Sequence, residues 1–368
     1  MKKIGILTYH EALNFGAAFQ CKALYLFIRE SIEQFDVVII DYTNKEYLKN
    51  NELGLVQDFK NLDIKGKIRV LVNSFILKKA KKRFCNFYTG VSFSEKVYND
   101  EFEKMNTICD YYIIGSDQLW NFELNGGDIN YLLPGIDKNR VVTYATSIGR
   151  EEINKDYISA FVDNISNIQF LSVREKNAQK YINWLMPNKR IELVLDPVFL
   201  LDREHWLNYV ARNKKKKGVC FYLFHKAFLK DAYEISAKLD INHSIIHKVC
   251  GGITCKDILN PKVKTGMLYG PKETLAAIFE SEAVFTDSFH CVAISIIYHI
   301  DFFVFLTGDK GRDSRILQLL EIADLKNRIV EPGFDYNNTI DWNDVDNKIE
   351  IERVHSQDYL MRAIDSFK

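Results

Sequence analysis

Ala283-Val284-Phe285-Thr286-Asp287-Ser288-Phe289-His290 passes from apolar to polar and back to apolar within one short stretch. Its first four residues are apolar or β-branched, which suits a strand covered on both faces. Asp287 or Ser288 can cap the helix that follows, read from about His290 to Tyr298. A buried strand that opens straight into a helix is the repeating unit of parallel α/β sheets. The first N–H groups of such a helix attract anions, and a protonated His290 adds charge at the same place. A plain helix cap with a packed histidine would leave the same letters.

Working outward, the same pattern recurs on both sides. Phe302–Phe305 reads as the next strand, followed by the basic loop Gly308-Asp309-Lys310-Gly311-Arg312. Upstream, strands read at Val219–Leu223 and Ser244–Val249, with a helix from Pro271 to Phe279 that carries proline in its first turn. The N-terminal half has strands at Ile4–Thr8, Val37–Ile40, Tyr111–Ile114, Val141–Ala145, Phe170–Val173 and Glu192–Leu195. A helix after Asn14 places Ala23, Leu24, Phe27 and Ile28 on one face. The chain has 368 residues, beyond the size at which one core stops growing. The reading is α/β with mainly parallel sheets: two Rossmann-like domains over 1–200 and 201–344, and a helical tail over 345–368.

Ligands on such sheets bind beyond the carboxyl ends of strands, so the residues just after each strand carry the chemistry. Four more strand ends stand out. In Gly115-Ser116-Asp117-Gln118-Leu119-Trp120-Asn121 the glycine permits close backbone approach. Ser116 and Gln118 offer donors, and Trp120 offers a flat face for a sugar ring, unless it is a core tryptophan in a tight turn. Arg174, after Leu171-Ser172-Val173, would turn its planar fork toward a carboxylate or phosphate, unless it only pairs with Glu175 at the surface. Asn14-Phe15-Gly16-Ala17 is a glycine turn without the dinucleotide fingerprint. The loop at Lys310 would hold an anion or be merely solvated. No GxSxG elbow occurs.

Composition removes other classes. Basic and acidic residues number 49 each, for a formal net charge of +0, which argues against bulk capture of nucleic acid. No run of about 18 apolar residues is present, and Asn14 and Gly16 interrupt the N-terminal stretch where a signal peptide would continue. Seven scattered cysteines read as buried thiols in a reducing compartment, so a cytoplasmic location is expected. His243, His247, Cys250 and Cys255 crowd together, but their spacing and apolar setting do not read as zinc, and no metal is expected. An insertion at about 60–90 ends in Lys78, Lys79, Lys81, Lys82 and Arg83. It reads as a solvated helix end, or as a basic helix on anionic lipid.

Taken in order, the motifs are Ile4-Gly5-Ile6-Leu7-Thr8 with Asn14-Phe15-Gly16-Ala17; Ile114-Gly115-Ser116-Asp117-Gln118-Leu119-Trp120-Asn121; Tyr144-Ala145-Thr146-Ser147-Ile148-Gly149; Ser172-Val173-Arg174-Glu175; Leu195-Asp196-Pro197; and Asp287-Ser288-Phe289-His290. Together they resemble the polysaccharide pyruvyl transferase family. The resemblance implies a GT-B architecture, two Rossmann-like domains facing a cleft. It implies phosphoenolpyruvate as co-substrate, no cofactor, and a pyruvate ketal on a cell-surface glycan (capsule or exopolysaccharide) as product. The family's functional arginine, histidine and lysine match Arg174, His290 and Lys310. Cys291 departs from the pattern, standing where many relatives have glycine and where it would narrow the pocket.

With that resemblance, the donor set is Arg174, Asp287, Ser288, His290 and Lys310, and Asp117 is a candidate base for the acceptor hydroxyl. The acceptor set is Asn14, Phe15, Gly16, Gly115, Ser116, Gln118 and Trp120. A lipid-linked acceptor would bring the protein to the inner face of the membrane. Two other readings remain at this stage: a GT-B glycosyltransferase using a nucleotide sugar, and a non-catalytic glycan-binding protein on the same fold.

Overall fold

The computed structural model describes residues 1–45, 64–212, 216–241, 243–335 and 338–367. Residues 60–63 of the basic insertion, and Lys214 and Lys215, lie outside the described residues. The chain divides into two compact units, Met1–Leu200 with His355–Lys368, and Leu201–Val354.

The first unit is built on β1 (Lys2–Leu7), β2 (Phe35–Thr43), β3 (Phe93–Tyr98), β4 (Tyr111–Ile114) and β5 (Val141–Thr143), in the order β3-β2-β1-β4-β5. Every pairing is parallel, and the register sets Leu7 beside Ile114 and Ile6 beside Ile39. Ile4, Ile6 and Leu7 are all buried, as a strand covered on both faces requires. The helix Phe15–Ser31 starts on Asn14, whose side chain accepts from the Ala17 N–H at 3.2 Å, and buries Ala17, Phe19, Cys21, Leu24 and Ile28. A small parallel sheet, β6 (Ser172–Val173) with β7 (Glu192–Leu193), completes this unit.

The second unit repeats the plan with β8 (Val219–Leu223), β9 (Ile246–Cys250), β10 (Val263–Thr265), β11 (Ala283–Thr286) and β12 (Asp301–Val304), in the order β10-β9-β8-β11-β12. All pairings are parallel again, with Thr286 beside Tyr222 on one side and Val304 on the other. Two Rossmann-like units with parallel sheets are therefore the fold, as expected of an α/β chain of this kind.

Several local expectations change. The strand read at Val141–Ala145 stops at Thr143, because Ala145 has a left-handed φ of 52° that turns the chain. Phe170 and Leu171 precede β6 rather than join it. The tail is one helix, Trp342–Asp365, and its last turns are built into the first unit. There Ser356 Oγ accepts from the Leu195 N–H at 2.9 Å, and the Tyr359 hydroxyl donates to the Thr143 carbonyl at 2.9 Å. The seven cysteines are free thiols, but Cys85 and Cys255 are exposed, since each sits on the outer side of a helix. His243 bonds Ser236 and His247 bonds Tyr269, so neither joins a cysteine site. Among the described residues, no helix is long and apolar enough to cross a membrane.

Candidate active site

In each sheet the strand order reverses beside the first strand, between β1 and β4 and between β8 and β11. Such reversal points are where open α/β sheets leave a crevice. At the first of them lies a cavity of about 450 Å³, lined by residues that follow β1 (Thr8 to Asn14), by Asp117 and Gln118 after β4, and by Tyr42 and Tyr131.

The floor is tied by a polar net. The Thr8 hydroxyl donates to the Ser116 carbonyl at 3.0 Å and accepts from Gln20 at 2.9 Å. Asp117, held at φ 83°, takes the Gln118 N–H at 2.8 Å and Arg174 Nη2 at 3.0 Å on the same oxygen. Arg174 is buried, and its Nη1 donates to Asp196 at 2.6 Å while Glu175 lies 3.7 Å from Nε. The expectation of an open fork awaiting an anion is corrected here. Three carboxylates surround this guanidinium, and they would repel a phosphate. Nor is it a surface pair.

One wall was not foreseen. His10 lines the cavity, and its Nε2 lies 3.0 Å from Asp41 Oδ1. Burial alone would raise the Asp41 carboxyl, but the His10 bond and the nearby Lys96 hold it below the usual carboxylate range. Lys96 also bonds Glu11 at 2.5 Å and lies 3.7 Å from Asp41, so an ammonium group stands beside both carboxylates. The sequence signal is the dipeptide His10-Glu11 just beyond β1.

The expected acceptor residues separate. Asn14 and Gln118 line the cavity. Phe15 stacks on Phe84 at 5.5 Å, and Gly16 is buried in its helix. Gly115 is required for a different reason from ligand approach. Its φ is 129°, and a Cβ there would meet the Tyr144 carbonyl oxygen at 2.0 Å. Ser116 is fully buried. Trp120 is fully buried too, edge-on to Phe161 at 5.1 Å, so it presents no face to a sugar. The core reading of that tryptophan holds.

At the second reversal point, Asp287 follows β11 and reaches back to the end of β8. Its buried carboxylate accepts from the Phe224 N–H at 2.8 Å, the His225 N–H at 2.9 Å and the His225 ring at 2.7 Å. It therefore fixes the β8 loop and offers no positive field to a donor, which corrects its place in the donor set. Ser288 stands at the N-cap of the helix Phe289–Tyr298 but makes no side-chain cap, so neither predicted cap forms. His290 is buried in the first turn with its ring against Phe289, and Cys291 is packed in the core. His225, half-exposed beside Asp287, is an addition that no motif announced.

Lys310 follows β12, the neighbour of β11, and is exposed at the start of the helix Lys310–Ile322. Asp309 caps that helix through the Gly311 and Arg312 N–H groups at 2.9 and 3.2 Å. The loop before it is folded onto Asp313, which takes the Thr307 N–H at 3.1 Å and the Gly308 N–H at 2.7 Å. Lys310 and Arg312 thus stand in a first helical turn, where the macrodipole disfavours cations by about 0.3–1 kcal/mol each. Local rules are most often broken where a ligand repays the cost. The structure brings His290, His225, Lys310 and Arg312 to neighbouring strand ends of the second unit. Arg174 belongs to the first.

No curated protein matches the chain in sequence. Among solved structures it is similar to the N-terminal domain of Candida albicans trehalose-6-phosphate phosphatase, with TM-score 0.48 and 11% identity over 99% of this chain and 96% of that one. It is also similar to UDP-GlcNAc 2-epimerase from Methanocaldococcus jannaschii, solved with UDP-GlcNAc and UDP, with TM-score 0.46 and 13% identity over 95% and 98%. A spinosyn rhamnosyltransferase follows at TM-score 0.38 and 10% identity, over 100% and 96%. The family model of polysaccharide pyruvyl transferases matches residues 14–309, a span that takes in every strand but β1. The chain belongs to the polysaccharide pyruvyl transferase family.

Proposed function

We propose that the protein transfers the pyruvyl group of phosphoenolpyruvate to two hydroxyls of one sugar, forming a ketal in the synthesis of a capsule or exopolysaccharide. The observation that carries this reading is the family match over residues 14–309, which includes Asp117, Arg174, Asp287 and His290. The cation-rich strand ends of the second unit support donor binding there, since phosphoenolpyruvate is a carboxylate and a phosphate on three carbons. The cavity of the first unit supports acceptor binding, because tyrosine walls with hydroxyl and amide groups suit a polyhydroxylated ring.

In this scheme Lys310 and Arg312 hold the donor's charge, and His290 delivers a proton to the methylene carbon or steadies the phosphate. The first sugar hydroxyl adds to the central carbon and loses its proton. The bond from that carbon to the phosphate oxygen breaks, inorganic phosphate leaves, and the second hydroxyl closes the ketal. Asp117 and His10 are the acceptor-side bases, His10 with Asp41 behind it. Arg174 is a positioning residue that fixes Asp117.

Thermal shift and phosphate release test the reading together. Phosphoenolpyruvate should stabilise the protein where UDP and GDP do not, and His290→Ala should lose that stabilisation. His10→Gln should keep the stabilisation and lose turnover with a glycan acceptor. Stabilisation by a nucleotide alone would turn the reading to a nucleotide-sugar glycosyltransferase.

A further inference from the structure

The helix Ile64–Phe87 has a use that pyruvyl transfer does not explain. On a chain with equal numbers of basic and acidic residues, Lys78, Lys79, Lys81, Lys82 and Arg83 are a dense local excess of charge. Its inner side is anchored. Phe84 stacks on Phe15, Phe87 lies edge-on to Phe19 at 6.0 Å, and Lys22 donates to the Phe87 carbonyl at 2.5 Å. Its outer side is not covered by the described residues. Leu71 is 60% exposed and Phe75 57%, and Lys78, Lys79 and Lys82 are exposed beyond them. Leu71, Phe75, Lys78, Lys79 and Lys82 recur at helical spacing, so they share one face. Lys79 Nζ sits 4.5 Å from the centre of the Phe75 ring, which joins the apolar and the basic part into one patch.

Single exposed apolar residues are ordinary, but two on one helical face followed by a turn of lysines set apolar contact and positive charge side by side, as an anionic membrane interface requires. We propose that this face docks on an anionic lipid surface, with Leu71 and Phe75 entering the acyl boundary and Lys78, Lys79 and Lys82 among the headgroups. The apolar pair favours lipid over a polyphosphate chain, which would gain nothing from leucine. The same helix contributes Leu77 and Lys81 to the wall of the 450 Å³ cavity. A glycan carried on a lipid would therefore be offered to that cavity from the docked side. This last step rests on the proposed function, whereas the lipid contact does not.

The test is sedimentation of the full chain with vesicles of phosphatidylcholine alone or mixed with phosphatidylglycerol, without donor or acceptor. Binding to the mixed vesicles only is expected, weakened by added salt. The variant Lys78→Glu/Lys79→Glu/Lys82→Glu should bind at least ~10-fold more weakly, since each basic residue adds roughly a factor of five near such a surface. Leu71→Ser/Phe75→Ser should bind weakly as well. Both variants should melt like the wild type, because all five side chains are exposed. Equal binding to both vesicles, no binding, or wild-type binding by either variant overturns the proposal. So does capture of an oligonucleotide with no capture of vesicles. Because the readout needs no turnover, failure of the pyruvyl reading would leave this result standing.

Discussion

At the scale of single residues, position was legible in the sequence and partnership was not. Arg174, Asp117, Asp287, His290 and Lys310 all stand just beyond strands, where the pattern put them. What each side chain does there is set by groups far along the chain. Arg174 is bound by residues 22 and 57 positions away, and Asp287 by residues 62 and 63 positions away. No local reading contains those distances. Trp120 shows the same limit, since a tryptophan after a strand has the same letters whether it faces a ligand or Phe161. Trp120→Ala should therefore cost about 3–5 kcal/mol of stability, read from the urea midpoint. Acceptor affinity of the molecules that remain folded should not change. A folded variant of near wild-type stability with lost acceptor affinity would return Trp120 to the site.

At the scale of elements, central strands were plain because they are nearly all apolar. Two of the four edge strands in the five-stranded sheets left no such mark. Phe93–Tyr98 and Val263–Thr265 pair on one side only and keep polar, partly exposed residues, so they lack the continuous apolar run that marked their neighbours. The tail read as helix, but its attachment did not show. Tyr359 is buried and donates to the carbonyl of Thr143, the last residue of β5. Tyr359→Phe should cost about 1 kcal/mol, and ending the chain at Val354 considerably more, because Leu195 N–H and Thr143 C=O lose buried partners. Urea unfolding of both proteins checks this. A truncated chain as stable as the full one would show that the tail merely rests on the first unit.

At the scale of the whole molecule, alkali should act through the cysteines. Burial pushes the Cys21, Cys109 and Cys250 thiols up to about 12, and raises Cys220 and Cys291 as well. An unfolded thiol titrates at about 8.5, so above that pH the unfolded chain releases protons that the folded one keeps. The stability these thiols contribute is complete below the unfolded value and is lost as pH climbs toward the folded one. Lys22 and Lys138, lowered by burial to about 8, and Lys189 and Lys216, lowered by burial as well, act in the opposite direction but are four against five. The urea midpoint should therefore fall between about pH 9 and 10. A midpoint that rises over that range would mean the lysines dominate. The tail has a further consequence, for the order of events during synthesis. The ribosome makes Thr143, Leu195 and Leu200 early, yet the side chains that bond them, on Tyr359, Ser356 and Gln357, follow 157 to 216 positions later. The second unit, an unbroken stretch of chain, is complete while the first still waits for its closing segment.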